Sequence, residues 1–288
     1  MGSEMCIRDR LSFSPYTAPG IDVNGTGIIY KVQLIEDCYS KISDVKLIWQ
    51  TSTDLVSVSH GQGMIYVKPN EQGISGNALI GAYDEEGNVI WSWHIWVTDY
   101  AGIINDNETN VLVGTRQTYN NLEWMDRNLR ALTATPGQAT TLGYAYQWGR
   151  KDPFPMSGNI FTSVLRPFYD AKGDYLRSGV AVEERNSSGQ LIVDKSISEP
   201  WIFYTNTITN HSKSSGYWWG GNSINVPLWS DNSKTMYGPC PAGWRLPSGA
   251  IATKMAGSTM KNWSGTNYGA YYSCLLYTSD AADDLTRV

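Results

Sequence analysis

Cysteine, histidine and long apolar runs are all scarce in this chain. Only four cysteines and three histidines occur among its 288 residues. No apolar run approaches the roughly 18 residues that a membrane-spanning helix needs. The histidines His60, His94 and His211 are scattered, and none has a second ligand at the i, i+4 spacing of a helical zinc or catalytic site. We therefore predict no integral membrane segment and no histidine-based metal or catalytic site.

Positive charge is limited as well. Lys and Arg together number 22 against 27 Asp and Glu, and the formal net charge is −5. Binding to nucleic acid or to an anionic membrane usually requires a basic patch, so the charge balance predicts no nucleic-acid partner. Aromatic residues are abundant by contrast, with 12 Trp and 18 Tyr. This composition favours a secreted or surface β-protein.

The two ends of the chain are predicted to derive from one short DNA element. A DNA sequence that encodes Met5 to Arg10 also encodes, on its opposite strand, Cys274 to Thr278. Both ends resemble a translated sequencing adapter. We therefore assign residues 1–10 and 274–288 to adapter-derived scars and expect residues 11–273 to be a natural sequence cut at both ends.

Between residues 11 and 98, short alternating segments predict an N-terminal immunoglobulin-like β-sandwich. In one strand, Val89, Trp91, Trp93, Ile95 and Val97 fall on a single face, which must be core. Asp84 to Gly87 is predicted to close a hairpin, because glycine adopts the left-handed conformation readily. Val45, Leu47 and Trp49 show the same alternation. His94 lies opposite the tryptophan stripe and is expected to be exposed or at an edge.

The alternation stops at residues 99–116, which are polar and rich in turn residues, and we predict a linker there. Residues 117–273 differ in character: strands are brief, aromatic residues are dispersed, and long loops are predicted at 172–200 and 211–225. This pattern favours an irregular α+β domain whose core is built from tryptophan.

Three ordered motifs in this second region carry a family resemblance. They are EWMDRNLRA (123–131), YAYQWGRKDPFP (144–155) and YGPCPAGWRLPS (237–248). Together they resemble the Fibrobacter succinogenes major paralogous domain, which occurs in Bacteroidota surface and fimbrillin-associated proteins, and the resemblance covers about residues 113–273. It implies a C-type-lectin-like fold with one or two helices and a small twisted sheet, preceded here by a fimbrillin-type sandwich.

The chain departs from this family pattern at two places. Arg130 stands where the family usually has glycine. The closing strands of the family, with their final cysteine, would lie beyond Ser273, so Cys240 is expected to lack its disulfide partner. Loss of such a bridge typically costs about 2–5 kcal/mol in a small secreted domain.

Seven residues of the second region are predicted to be structural. Trp124 and Trp244 are expected in the core, and Asp126, Arg127 and Asn128 are expected to hydrogen-bond loop backbone, although they could instead form a polar site. The full set is Trp124, Asp126, Arg127, Asn128, Trp148, Cys240 and Trp244. Residues 149–153 lack the repeated glycines of a phosphate-binding loop.

Ligand binding is assigned to three tryptophans. Trp218 and Trp219 are adjacent on a glycine-flanked stretch and could present a flat apolar face, with Trp229 nearby; the alternative is that they merely anchor a long loop. We predict no catalytic residue. No cofactor is expected either, although Asp170, Asp174, Asp231 and Asn232 could contribute to a calcium site.

These observations favour a non-enzymatic cell-surface or fimbria-associated module that adheres to glycan or protein ligands. Two alternatives stay open: an enzyme related to the formylglycine-generating type, which would need a cysteine pair, and a purely structural spacer. The family resemblance implies an extracellular or outer-membrane location, reached through an export signal that this sequence does not include. The resemblance also implies that the intact protein could carry a lipid anchor and could belong to a pilus or an outer-membrane assembly.

Overall fold

A computed structural model describes a defined subset of the chain. The described residues are 20–22, 30–33, 41–61, 64–69, 74–98, 103–106, 109–112, 116–119, 122–135, 138–141, 143–144, 146, 149–154, 156–157, 164–165, 169–170, 172, 174, 181–184, 190–205, 229–230, 237–240, 244–247 and 275–276.

Within these residues the chain forms mainly short strands, which confirms a β-rich fold with few helices. The finer assignments, immunoglobulin-like and lectin-like, stay predictions. The elements are β1 Gly20–Asp22, β2 Tyr30–Gln33, β3 Asp44–Gln50, β4 Val56–Gly61, β5 Met64–Pro69, β6 Gly76–Tyr83, β7 Val89–Thr98, β8 Ile103–Asp106, β9 Thr109–Leu112, β10 Arg116–Tyr119, β11 Leu122–Met125, β12 Met156–Ser157, β13 Val164–Leu165, β14 Ala181–Glu184, α1 Gln190–Ser198, β15 Ile202–Thr205, β16 Trp244–Arg245 and β17 Leu275–Leu276, with a 3₁₀ turn at Ala139–Thr141.

Two sheets build the N-terminal half. A four-stranded sheet has the order β1-β7-β6-β3, in which β1 pairs parallel to β7 and the other pairs are antiparallel. A three-stranded antiparallel sheet has the order β2-β5-β4. One hydrophobic cluster joins side chains from both sheets, including Val45, Val56, Val67, Ile80 and Trp93. We call the face of the four-stranded sheet that contributes to this cluster the inner face.

The predicted core face of β7 is confirmed for Trp91, Trp93, Ile95 and Val97, which belong to one buried hydrophobic cluster. Val89 is also buried, but it is not part of that cluster, and the register of β7 against β6 shifts between Val89 and Trp91. The predicted hairpin is confirmed too, because β6 and β7 pair antiparallel and Gly87 has a φ of 84°. The Asp84 carboxylate accepts a hydrogen bond of 2.7 Å from the Asn88 backbone N–H, which fixes the short loop between the strands.

The prediction that Val45, Leu47 and Trp49 of β3 lie on one face is wrong at Trp49. The register of β3 against β6 shifts between Leu47 and Trp49, so Ile48 is an extra residue in the strand. Leu47 packs with the inner-face cluster, whereas Trp49 packs with Leu79 and Tyr144 on the opposite face. A bulge of this kind reverses the direction of every later side chain, and alternation alone cannot reveal it.

Residues 99–116, predicted to be a linker, include the antiparallel hairpin β8-β9. Further along the chain, β10, β11, β17 and β16 form a second four-stranded sheet in that order. Strand β17 belongs to the segment that we assigned to an adapter-derived scar, and it pairs with both β11 and β16. The domain boundaries themselves stay predictions.

Cys240 is buried and disulfide-bonded. The expectation that it lacks a disulfide partner is therefore wrong. The three remaining cysteines, Cys6, Cys38 and Cys274, all lie outside the described residues. Among the described helices, none is long and apolar enough to cross a membrane.

Candidate functional site: a buried polar junction

The face of the four-stranded sheet opposite the inner face is also buried; we call it the outer face. In β7 it carries Ser92, His94, Trp96 and Thr98, each at most 3% exposed. Residues of the 124–154 segment cover it: Met125 and Leu129 pack on Trp96, and Tyr144 packs beside Trp49 and Leu79. We call this contact between the outer face and residues 124–154 the junction.

His94 lies inside the junction, so its predicted exposed or edge position is wrong. Its ring centroid is 5.9 Å from that of Trp49 and 6.3 Å from that of Tyr144. Neither imidazole nitrogen has a hydrogen-bond partner among the described residues. Burial, together with the positive charges of Arg130 and Lys151, holds the pKa of His94 well below its ordinary value. The imidazole is therefore neutral at pH 7.

A serine, a lysine and an aspartate meet next to this histidine. The Ser92 hydroxyl donates to Asp152 Oδ2 at 2.7 Å, and Lys151 Nζ lies 2.5 Å from the same oxygen. The ammonium group also donates to the Ser92 carbonyl at 2.9 Å and lies 4.6 Å from the centroid of the Trp91 ring. Burial lowers the pKa of Lys151, while the Asp152 carboxylate opposes that shift. The short ion pair makes this cluster a connection between β7 and residues 151–152.

Arg130 spans the other end of the junction. Its guanidinium lies 5.6 Å from the Trp96 ring centroid and donates from Nη2 to the Pro239 carbonyl at 3.3 Å. The Asn77 side-chain amide donates to the Arg130 carbonyl at 3.2 Å, which ties β6 to this loop. Arg130 has a φ of 69°, in the left-handed region that favours glycine. The backbone at this position is therefore the one that a glycine would adopt most easily.

The Arg150 side chain forms hydrogen bonds with backbone carbonyls at and after the C-terminus of helix α1. Its guanidinium donates to the carbonyls of Ser196 at 3.1 Å and Pro200 at 3.2 Å, and also to that of Ile202. A guanidinium at a helix C-terminus satisfies terminal carbonyls and complements the helix dipole. The carbonyl of Arg150 in turn accepts a hydrogen bond of 3.1 Å from the Trp229 indole. The segment 149–153, which lacks a phosphate-loop pattern, thus connects α1, β15 and Trp229.

The described members of the predicted structural set take part in internal packing and hydrogen bonding. Trp124, Cys240 and Trp244 are buried. Arg127 Nε donates to Asp126 Oδ1 at 2.8 Å, and Asn128 Nδ2 donates to the Thr141 carbonyl at 2.9 Å. Trp148 lies outside the described residues.

Of the three predicted ligand-binding tryptophans, only Trp229 is described. It is half-buried, and its indole N–H donates to the carbonyls of Arg150 and Tyr237, the latter at 2.7 Å. Its ring also meets that of Tyr146 edge-on, with centroids 6.5 Å apart. Trp218 and Trp219 lie outside the described residues.

The residues considered for calcium are only partly described. One Asp170 carboxylate oxygen accepts from the backbone N–H groups of Lys172 and Asp174, at 2.8 and 2.9 Å, so it stabilises its own turn. Asp231 and Asn232 lie outside the described residues. Within the described part of the chain, no group of three His, Cys, Asp or Glu side chains is placed to hold a metal ion.

Sequence reasoning missed the junction. It predicts that His94 is exposed or at an edge, and it assigns no role to residues 149–153 beyond excluding a phosphate-binding loop. The one available signal was that β7 carries Trp96 on its polar side, since a tryptophan there predicts a second covering layer.

Comparison of the chain with protein-family models, with curated proteins and with solved structures finds no match.

Proposed function

We propose that this protein is a non-enzymatic surface or fimbria-associated module that binds glycan through Trp218 and Trp219. The observation that carries the proposal is that Arg150 contacts described residues on both sides of the stretch that contains these tryptophans. On its N-terminal side, the Ile202 carbonyl accepts from the Arg150 guanidinium. On its C-terminal side, the Trp229 indole donates to the Arg150 carbonyl at 3.1 Å.

One buried residue therefore contacts the chain on both sides of residues 206–228. Binding residues are often carried on connecting segments that a rigid scaffold positions. Adjacent aromatic rings supply large contact area with little conformational entropy to lose, which suits recognition of the apolar face of a sugar.

The chemistry of the described residues also favours binding over catalysis. Asp126 and Arg127 pair with each other, Lys151 pairs with Asp152, and Arg150 is buried among backbone carbonyls. Cys240 is held in a disulfide, so it does not supply the free thiol that a formylglycine-generating type of enzyme would use. These groups act as scaffold.

The test compares the wild-type chain with a Trp218→Ala/Trp219→Ala variant on a printed glycan array. Trp201→Ala is the matched control, because Trp201 is 41% exposed and follows α1 on the same half of the chain. We expect the double variant to lose binding by at least about tenfold, equivalent to about 1.4 kcal/mol, with an unchanged melting temperature. Trp201→Ala should bind as the wild type does.

Two results would overturn the proposal. In one, the double variant binds the array as tightly as the wild type. In the other, the double variant loses binding only together with its cooperative unfolding transition, which would make the two tryptophans structural anchors.

A further inference from the structure

The buried imidazole of His94 is the most unusual group in the described part of the chain. It is 3% exposed, both of its nitrogens lack a described hydrogen-bond partner, and it lies where two layers of the protein meet. Buried polar groups are almost always hydrogen-bonded, so such a group calls for an explanation.

Among the described residues, each element packed against His94 contributes a neighbour. Strand β3 contributes Trp49, β6 contributes Leu79, which is the register partner of His94, and the covering segment contributes Tyr144. Tyr146 packs against the cluster that Trp49, Leu79 and Tyr144 form. The nearby charges are those of Arg130 and Lys151, both positive, and Asp152. The Asp152 carboxylate already accepts from Ser92 and Lys151.

We propose that His94 makes the junction acid-sensitive: protonation of its imidazole releases residues 124–154 from the outer face, while the core between the two N-terminal sheets stays folded.

The reason is that, among the described residues, neither imidazole nitrogen of His94 meets a hydrogen-bond acceptor that would stabilise an imidazolium. Protonation turns both ring nitrogens into donors and adds a positive charge beside an arginine and a lysine. His94 points to the outer face, so parting the covering layer hydrates it without breaking the sheet. Two sets of polar contacts cross the junction among the described residues: Asn77 donates to the Arg130 carbonyl, and Ser92 contacts Asp152 and Lys151.

The direction of the pH dependence follows from the lowered pKa. Above the ordinary histidine value of 6.5, His94 is neutral in the closed and released states alike, and pH has no effect through this group. Below that value His94 is protonated in the released state but stays neutral in the closed state. The equilibrium constant for release therefore rises by up to about tenfold for each pH unit below 6.5.

Amide hydrogen exchange followed by mass spectrometry tests the proposal, after correction for the intrinsic pH dependence of exchange. Between about pH 7 and about pH 5, around the ordinary histidine range, we expect protection to fall in peptides from residues 124–154. Peptides from β3, β6 and β7 should stay protected. His94→Phe keeps a ring between Trp49 and Tyr144 but cannot be protonated, so it should abolish the change.

The chain contains two other histidines, which provide matched controls. His60→Gln and His211→Gln should retain the wild-type pH response. The proposal is overturned if His94→Phe responds to acid as the wild type does, or if β6 and β7 lose protection together with residues 124–154. Should His94→Phe fail to fold, the NMR titration of wild-type His94 decides: an imidazole that titrates near 6.5 in the closed protein contradicts the proposal.

Discussion

The inner and outer faces of β7 are both buried, but the inner face is covered through apolar side chains and the outer face carries mainly polar ones. The inner face carries Trp91, Trp93, Ile95 and Val97, which enter a hydrophobic cluster shared by two sheets. The outer face carries Ser92, His94, Trp96 and Thr98, and its contacts with residues 124–154 combine apolar packing with individual hydrogen bonds and ring interactions.

This difference has an energetic consequence. Apolar burial contributes about 25 cal/mol per Å² whichever apolar neighbour supplies the contact, so an inner-face position depends on volume and fit. A buried hydrogen bond contributes only about 0.5–1.5 kcal/mol net, but a buried polar group left without its partner costs more than that. The outer face therefore depends on specific partners, and it can be disrupted one pair at a time.

The largest contrast is expected between Trp93→Ala and Trp96→Ala. Each removes a fully buried indole, and truncation of a core tryptophan costs about 3–5 kcal/mol. We expect Trp93→Ala to destabilise both N-terminal sheets, because Trp93 lies in the hydrophobic cluster that joins them. Trp96→Ala should act mainly on the junction. Hydrogen exchange by segment measures this: equal loss of protection in β3 and β6 for both variants would contradict the distinction between the faces.

The Lys151–Asp152 ion pair in the junction should show directly how much a buried charge depends on its partner. Asp152→Ala leaves the Lys151 ammonium without its carboxylate, which typically costs about 3–5 kcal/mol in a buried pair. We expect the lower end of this range, because the Lys151 side chain keeps 11% exposure. In a double-mutant cycle by urea denaturation, Lys151→Met combined with Asp152→Ala should recover much of the loss. A double variant whose loss of stability equals the sum of the losses of Asp152→Ala and Lys151→Met would show that the pair is not coupled.

The inner face could be predicted from sequence because the relevant information is local. The alternation in β7 and the turn residues Asp84 to Gly87 are contiguous in the chain, and hydrophobic burial requires no particular partner. The outer face could not, since Ser92 meets Asp152 across 60 residues of sequence and Arg130 meets Pro239 across 109. A polar residue in a strand looks the same whether water or a distant side chain satisfies it. The bulge at Ile48 belongs to the same class, because it shows only in the register with β6.

A smaller effect is expected at Arg130, where the two kinds of stabilisation oppose each other. Glycine would relieve the left-handed backbone conformation, which costs a non-glycine residue about 1–2 kcal/mol. It would also remove the stacking on Trp96 and the hydrogen bonds to Pro239 and Tyr146. We expect Arg130→Gly to be destabilising by about 1–2 kcal/mol in urea denaturation, since several buried contacts outweigh one strained residue. A more stable Arg130→Gly would mean that the guanidinium contributes little to the junction.

The smallest effect is expected at the β6-β7 turn, where Gly87 is exposed. Gly87 has a φ of 84°, and an added Cβ would meet no atom within 4 Å. Gly87→Ala therefore measures only the cost of the left-handed backbone conformation for a residue with a Cβ. We expect it to destabilise the protein by about 1 kcal/mol. Gly61 is the matched control, because its Cβ would also find open space but its φ is not in the left-handed region. Gly61→Ala should be neutral or raise the melting temperature slightly, since alanine restricts the unfolded chain. Equal effects of the two substitutions would show that the conformation of Gly87 does not set the hairpin, and that pairing across the buried faces of β6 and β7 is enough to hold its register.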